Sequence, residues 1–186
     1  DQTSPPFAFD TYFSSAYCEN DIVYVFGSTA SKPGHAGGSG IRLFWSEDLE
    51  HWSDKLVIDQ PGWTFYNTSV CKGPDGYVMA IEVGDPPEIA GKRFTMYFAA
   101  SPDLMNWQMM PLDCNYSKLR YTACPALRYV NDGYYYMIYL EELPLTRYAP
   151  YICRTRDFID FEIGLHNPIM FCSPEDKQPK PGRHFD

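Results

Sequence analysis

The chain has 186 residues, 45% of them apolar and 21% charged. That is enough apolar material to bury the core of one domain and too little charge for a disordered chain. The net charge of −9, with no run of Lys and Arg longer than two residues, excludes the basic footprint of a nucleic-acid binder.

No apolar run approaches the roughly 18 residues of a membrane-spanning helix, and no signal-peptide pattern opens the chain. A cytoplasmic protein is expected, although a start at Asp1 rather than Met leaves room for a trimmed leader. The six cysteines, Cys18, Cys71, Cys114, Cys124, Cys153 and Cys172, form no C-x-x-C pair, so zinc and redox motifs are not supported. Reduced thiols are expected. Aromatic residues make up 17% of the chain, a bias toward strands and toward a surface that stacks on sugar rings.

In chain order, the first strand reads as Ser14 to Cys18, the second as Ile22 to Phe26 after Glu19-Asn20-Asp21. A Gly-rich loop carrying His35 follows, then a third strand, Ile41 to Trp45, and a fourth, Leu56 to Asp59. The pattern then recurs. Ser69 to Lys72 and Tyr77 to Val83 flank Pro74-Asp75-Gly76, and Phe94 to Ala100 and Trp107 to Pro111 complete the second unit. Pro125 to Val130 and Tyr134 to Leu140 flank Asn131-Asp132-Gly133, with Tyr151 to Cys153 and Phe161 to Ile163 after them. Asp-Gly is a strong hairpin turn because Gly accepts positive φ without steric cost.

Between the third and fourth strands of each unit lies one frame. It reads Ser46-Glu47-Asp48-Leu49-Glu50-His51-Trp52, then Ser101-Pro102-Asp103-Leu104-Met105-Asn106-Trp107, then Thr155-Arg156-Asp157-Phe158-Ile159-Asp160-Phe161. A hydroxyl and an Asp two residues on can accept backbone N–H groups and hold a tight turn, while the apolar and aromatic residues anchor neighbouring units. A fixed period of this kind marks a repeat architecture, and four antiparallel strands per repeat describe a propeller blade. The expected fold is all-β: one propeller domain with blades at about 7–60, 64–113 and 120–166 and a Pro-rich tail at 167–186. Propellers close with about four to eight blades, so three blades are expected to be part of a larger ring.

The Ser-x-Asp-Leu-x-x-Trp frame, the Asp132 to Glu142 strand and the repeat period resemble the five-bladed propeller glycosidases of glycoside hydrolase family 43 and its relatives in families 32 and 117. The likeness is greatest to uncharacterised bacterial proteins of the family-43 type. The resemblance implies a five-bladed ring with carboxylates in a central funnel: an Asp from the first inner strand as base or nucleophile, and a Glu from a later blade as acid. Glycosidic cleavage needs such a pair, one protonated and one ionised.

Carried onto this chain, Asp10 is the best match to the base, although the family's stricter spacing falls near Phe13. The Glu-Gly-Pro motif of the acid is absent; Asn67-Thr68-Ser69 and Cys124-Pro125-Ala126 stand at the corresponding places.

Topology puts the entries to the first strands and the loops between strands two and three on one face, where the funnel would open. The candidate catalytic residues there are Asp10, Glu82, Glu141 and Glu142. Glu82 lies in an apolar strand, where a carboxylate needs a reason; an ion pair with Arg93 is its structural alternative, and an ion pair with Arg147 or a solvated rim that of Glu141 and Glu142. Candidate substrate contacts are His35, Asn67, Asp85, Arg120, Tyr121 and Arg147, while Cys124 lacks a His partner for nucleophilic work. A glycoside hydrolase acting on an oligo- or polysaccharide is expected, with a non-catalytic carbohydrate-binding propeller or a glycoside phosphorylase as alternatives. No metal site, cofactor, nucleic acid or membrane partner is expected, a structural calcium ion is not indicated, and the oligomeric state is left open.

Overall fold

The computed structural model describes residues 6–144 and 147–170, with the side chain of Arg147 outside the described part. Three four-stranded antiparallel sheets follow one another along the chain. The first holds β1 (Thr11–Glu19), β2 (Ile22–Thr29), β3 (Gly40–Ser46) and β4 (Ser53–Asp59). The second holds β5 (Thr64–Gly73), β6 (Gly76–Asp85), β7 (Thr95–Ser101) and β8 (Gln108–Met109). The third holds β9 (Thr122–Val130), β10 (Tyr134–Leu143), β11 (Arg147–Thr155) and β12 (Phe161–Ile163). In each sheet sequential strands are neighbours, which is the order of a propeller blade.

Most departures from the sequence reading lie at the funnel-mouth end. β1, β5 and β9 begin earlier than expected, and β11 starts at Arg147 rather than Tyr151. A single helical turn, α1 (Pro87–Ala90), interrupts the loop after β6. β8 is shorter than expected. The expected tail lies outside the described residues beyond Met170.

The period-2 alternation of each strand splits its side chains between two faces. On β6, Met79, Ile81 and Val83 join Phe26, Ile41 and Leu43 of the first blade in one core. Val78 and Ala80 join Leu127, Met137 and Tyr139 of the third blade in a second core. The middle blade is therefore buried on both faces, and each core is an inter-blade seam. The inner strands are also tied to each other: the Ser15 and Thr68 hydroxyls lie 2.8 Å apart, and Ser69 Oγ accepts the N–H of Leu127 at 2.9 Å.

The repeated frame builds the same turn in all three blades. Asp48 Oδ1 accepts the N–H groups of Glu50 and His51, both at 2.8 Å. Asp103 Oδ1 accepts those of Met105 and Asn106, and Asp157 Oδ1 those of Ile159 and Asp160. Each hydroxyl donates to its Asp, at 3.1–3.2 Å. The backbone bonds to Asp160 and Ile159 hold the Asp157 carboxyl below its ordinary range.

The apolar residue of the frame takes the left-handed region, with φ of 64° at Leu49, 66° at Leu104 and 63° at Phe158. That conformation is costly for a large side chain. Burial offsets the cost in two blades: Leu104 (2% exposed) enters the seam with the first blade, and Phe158 (4%) the seam with the second. Leu49, with no described blade ahead of it, stays 50% exposed, while Phe7 stacks on Trp52 beside it at 3.7 Å.

Among the described cysteines no disulfide forms; Cys172 lies outside the described residues.

Candidate functional site at the blade mouths

All three inner strands carry a bulge near their first residues. Tyr12 pairs with Ser28 and Ser15 with Phe26, so Phe13 and Ser14 share one partner position, Gly27. Phe65 pairs with Val83 and Thr68 with Ile81, which sets Tyr66 and Asn67 opposite Glu82. Ala123 pairs with Leu140 and Ala126 with Ile138, which sets Cys124 and Pro125 opposite Tyr139. Phe13 and Cys124 take left-handed backbone, with φ of 53° and 52°. Bulges re-aim side chains, and they concentrate at barrel rims and active sites. Here they turn the entry residues of three blades toward one mouth.

The residue opposite the second bulge is the carboxylate. Glu82 is 3% exposed, in the seam between the second and third blades. One oxygen, Oε2, accepts the Asn67 side-chain amide at 2.8 Å and the main-chain N–H of Cys124 at 2.8 Å. Burial pushes its pKa up, and the hydrogen bonds from Cys124 and Asn67 pull it partly back, leaving it at about 6. The expected partner Arg93 is not there: its guanidinium sits 3.7 Å from Asp85 and donates to Tyr66 Oη at 3.1 Å. Two N–H donors on one oxygen, rather than the expected guanidinium, compensate the buried carboxyl.

The other candidates are dispersed around the mouth. Asp10 lies just ahead of β1, exposed, with φ of 49°. Its main-chain carbonyl accepts the Ala30 N–H at 2.9 Å, and its Oδ1 accepts the Gly34 N–H at 3.3 Å. Asp10 therefore braces the loop that carries His35, which is itself exposed. Glu141 is paired with Arg120, both carboxylate oxygens lying 2.8 Å from Nη1. Glu141 thus has Arg120 as its ion-pair partner, while the expected pair with Arg147 falls on a side chain outside the described part. Glu142 is exposed at the mouth end of β10.

Tyr121 lies between Phe94 and Tyr148, with ring centroids 5.4 and 5.3 Å away. Burial, and then the nearby Tyr148 and Glu82, raise its hydroxyl pKa well above the ordinary value. Cys124 Sγ accepts from Asn67 Nδ2 at 3.5 Å, so the thiol belongs to the Glu82 network. Among the described residues no group of three or more His, Cys, Asp or Glu side chains is placed to hold a metal ion.

Sequence reasoning missed Phe13, Tyr66, Phe94 and Tyr148 as mouth residues. The bulges that aim the first two depend on strand register, which the spacing of apolar residues does not reveal.

No protein-family model and no curated protein matches the chain. Solved structures do. A thermostable family-43 glycoside hydrolase superposes with a TM-score of 0.66 at 14% identity, over 82% of this chain and 51% of that one. A family 117 glycoside hydrolase of Zobellia galactanivorans gives 0.66 at 14% identity, over 91% and 61%. The Bombyx mori family 32 β-fructofuranosidase gives 0.60 at 13% identity, over 87% and 38%. The chain thus spans about half the length of the solved chains it matches. The likeness is one of fold: the three sheets are arranged as consecutive blades of the propeller built by glycoside hydrolases of families 43, 32 and 117.

Proposed function

We propose that this chain supplies part of the active site of a glycoside hydrolase acting on an oligo- or polysaccharide. The observation that carries the reading is Glu82. A carboxyl held at about 6 by burial is partly protonated near neutral pH, as a general acid requires. It sits where the bulges of the second and third blades converge. In this reading Glu82 gives its proton to the leaving glycosidic oxygen, and the Cys124 N–H and the Asn67 amide stabilise the carboxylate left behind. Asp10, across the mouth on the first blade, is the ionised partner that activates water or attacks the anomeric carbon. Two of the solved neighbours are a β-xylosidase and a β-xylosidase/α-arabinofuranosidase in complex with xylotriose, which supports a carbohydrate as the ligand class.

The test is turnover of a panel of aryl glycosides by the wild type, Glu82→Gln and Asp10→Asn. Loss of about 10²-fold or more in each variant supports the assignment. Wild-type rates in Glu82→Gln remove it from the mechanism.

A non-catalytic carbohydrate-binding propeller is the second reading. It is favoured by the bulge positions, Phe13 and Ser14, Tyr66 and Asn67, Cys124 and Pro125, which hold no acid. Sugar binding by calorimetry without turnover on the same panel decides for it.

A further inference from the structure

Five aromatic rings run in an unbroken row across the mouths of the three blades. Phe13 of β1 meets Tyr66 of β5 at 5.4 Å between centroids, and Tyr66 meets Phe94, just before β7, at 4.8 Å. Phe94 meets Tyr121 at 5.4 Å, and Tyr121 meets Tyr148 of β11 at 5.3 Å. All five lie at the funnel end of their strands, outside the two buried seams.

Two features separate this row from ordinary core packing. Phe13 is 40% exposed and sits on left-handed backbone, a conformation a large residue adopts only at a cost. A ring serving only the core would be turned inward. In addition, two of the rings, Tyr66 and Phe94, are seated on bare backbone. A Cβ at Gly84 would come within 2.6 Å of Tyr66 Cε2 and 2.7 Å of Phe94 Cε1. Glycine there lets the two rings settle onto the sheet edge.

The rings also carry polar handles. Tyr66 Oη accepts from Arg93 Nη2 at 3.1 Å, and the Tyr121 and Tyr148 hydroxyls bond to each other. The first three contacts are edge-to-face, with interplanar angles of 62°, 80° and 81°, and Tyr66, Phe94, Tyr121 and Tyr148 are each half-buried beside the exposed Phe13.

We propose that this row is a binding track for a linear, neutral oligosaccharide of three or more residues, laid across the blade mouths beside Glu82 rather than held end-on. The proposal rests on the glycan-directed reading above and deepens it. Sugar rings offer apolar C–H faces that stack on aromatic faces, and hydroxyls that bond to tyrosine and arginine heads. The charge of Arg93 is partly offset, since the guanidinium lies over the Phe94 ring and beside Asp85. The exposed Asp10 and Glu142 and the net charge of −9 disfavour a polyanionic glycan.

The experiment is calorimetric titration of the chain carrying Glu82→Gln, chosen to slow any hydrolysis, with xylobiose, xylotriose and xylotetraose and with the matching cello-oligosaccharides. In at least one series, affinity is expected to rise about tenfold or more from two residues to four. Phe13→Ala should return the tetrasaccharide to disaccharide affinity with an unchanged melting temperature. Tyr121→Phe, which keeps the ring, should retain most of the gain. Equal affinity for short and long ligands in both series, or a Phe13→Ala protein that binds the tetrasaccharide as its parent does, overturns the track. Length-dependent binding without turnover by the wild type leaves the track standing and removes the hydrolase. Turnover without length dependence does the reverse.

Discussion

The Glu82 carboxylate of the second blade accepts the main-chain N–H of Cys124 in the third at 2.8 Å. One bond thus joins a buried acid to the bulge of the neighbouring blade. The acid's protonation and the geometry of the mouth are linked through it, and several outcomes follow from that linkage.

If Glu82 is the proton donor, kcat/KM falls as pH rises through about 6, because the group loses the proton it must give. Glu82→Gln should lower turnover by about 10²–10⁴-fold and abolish that limb in whatever activity remains. A pH profile with the same limb in both proteins would assign it to another group.

The same residue makes stability depend on pH. Its folded pKa of about 6 lies above the ordinary 4.5. The favourable contribution of the protonated form is therefore complete below about 4.5 and is lost as pH rises through about 6. The stability of the wild type minus that of Glu82→Gln, from urea unfolding, should fall by about 2 kcal/mol between acidic and neutral pH. A difference that does not change with pH would mean that the carboxyl is solvated.

Asp10→Asn keeps an acceptor for the Gly34 N–H, and so should keep the loop over residues 31–38 in place. Turnover should drop by orders of magnitude while the melting temperature holds. Unaltered turnover would leave Asp10 as a loop brace.

Ser46→Ala removes the acceptor of the Leu49 N–H, at 2.8 Å, and the donor to Asp48. The expected cost is about 1–2 kcal/mol in denaturant unfolding. Ser46→Thr should be close to neutral, because Thr155 performs the same task in the third blade. Equal losses in the two variants would show that packing, rather than the hydroxyl, supports the turn.

The three blades were legible in the chain because each turn is written locally. A hydroxyl at 46, 101 or 155 and an Asp two residues on bond N–H groups within three residues, so the same short string yields the same turn wherever it occurs. Strand alternation likewise needs no distant partner to be read.

The mouth was legible only as a list. Asp10, Glu82, Asn67, Arg120 and Glu141 stood on it, yet the pairings among them did not, since Glu82 meets Cys124 across 42 residues of chain and Arg120 reaches Glu141 across 21. Which way Phe13, Asn67 and Cys124 face depends on where each inner strand slips by one residue against its neighbour. Slippage is a property of the paired strands, not of either one, because a bulge exists only relative to the ladder it interrupts. The sequence by itself therefore determined the units and their turns. Tertiary pairing alone decided that a buried acid, an amide and a row of aromatic rings would meet at one mouth.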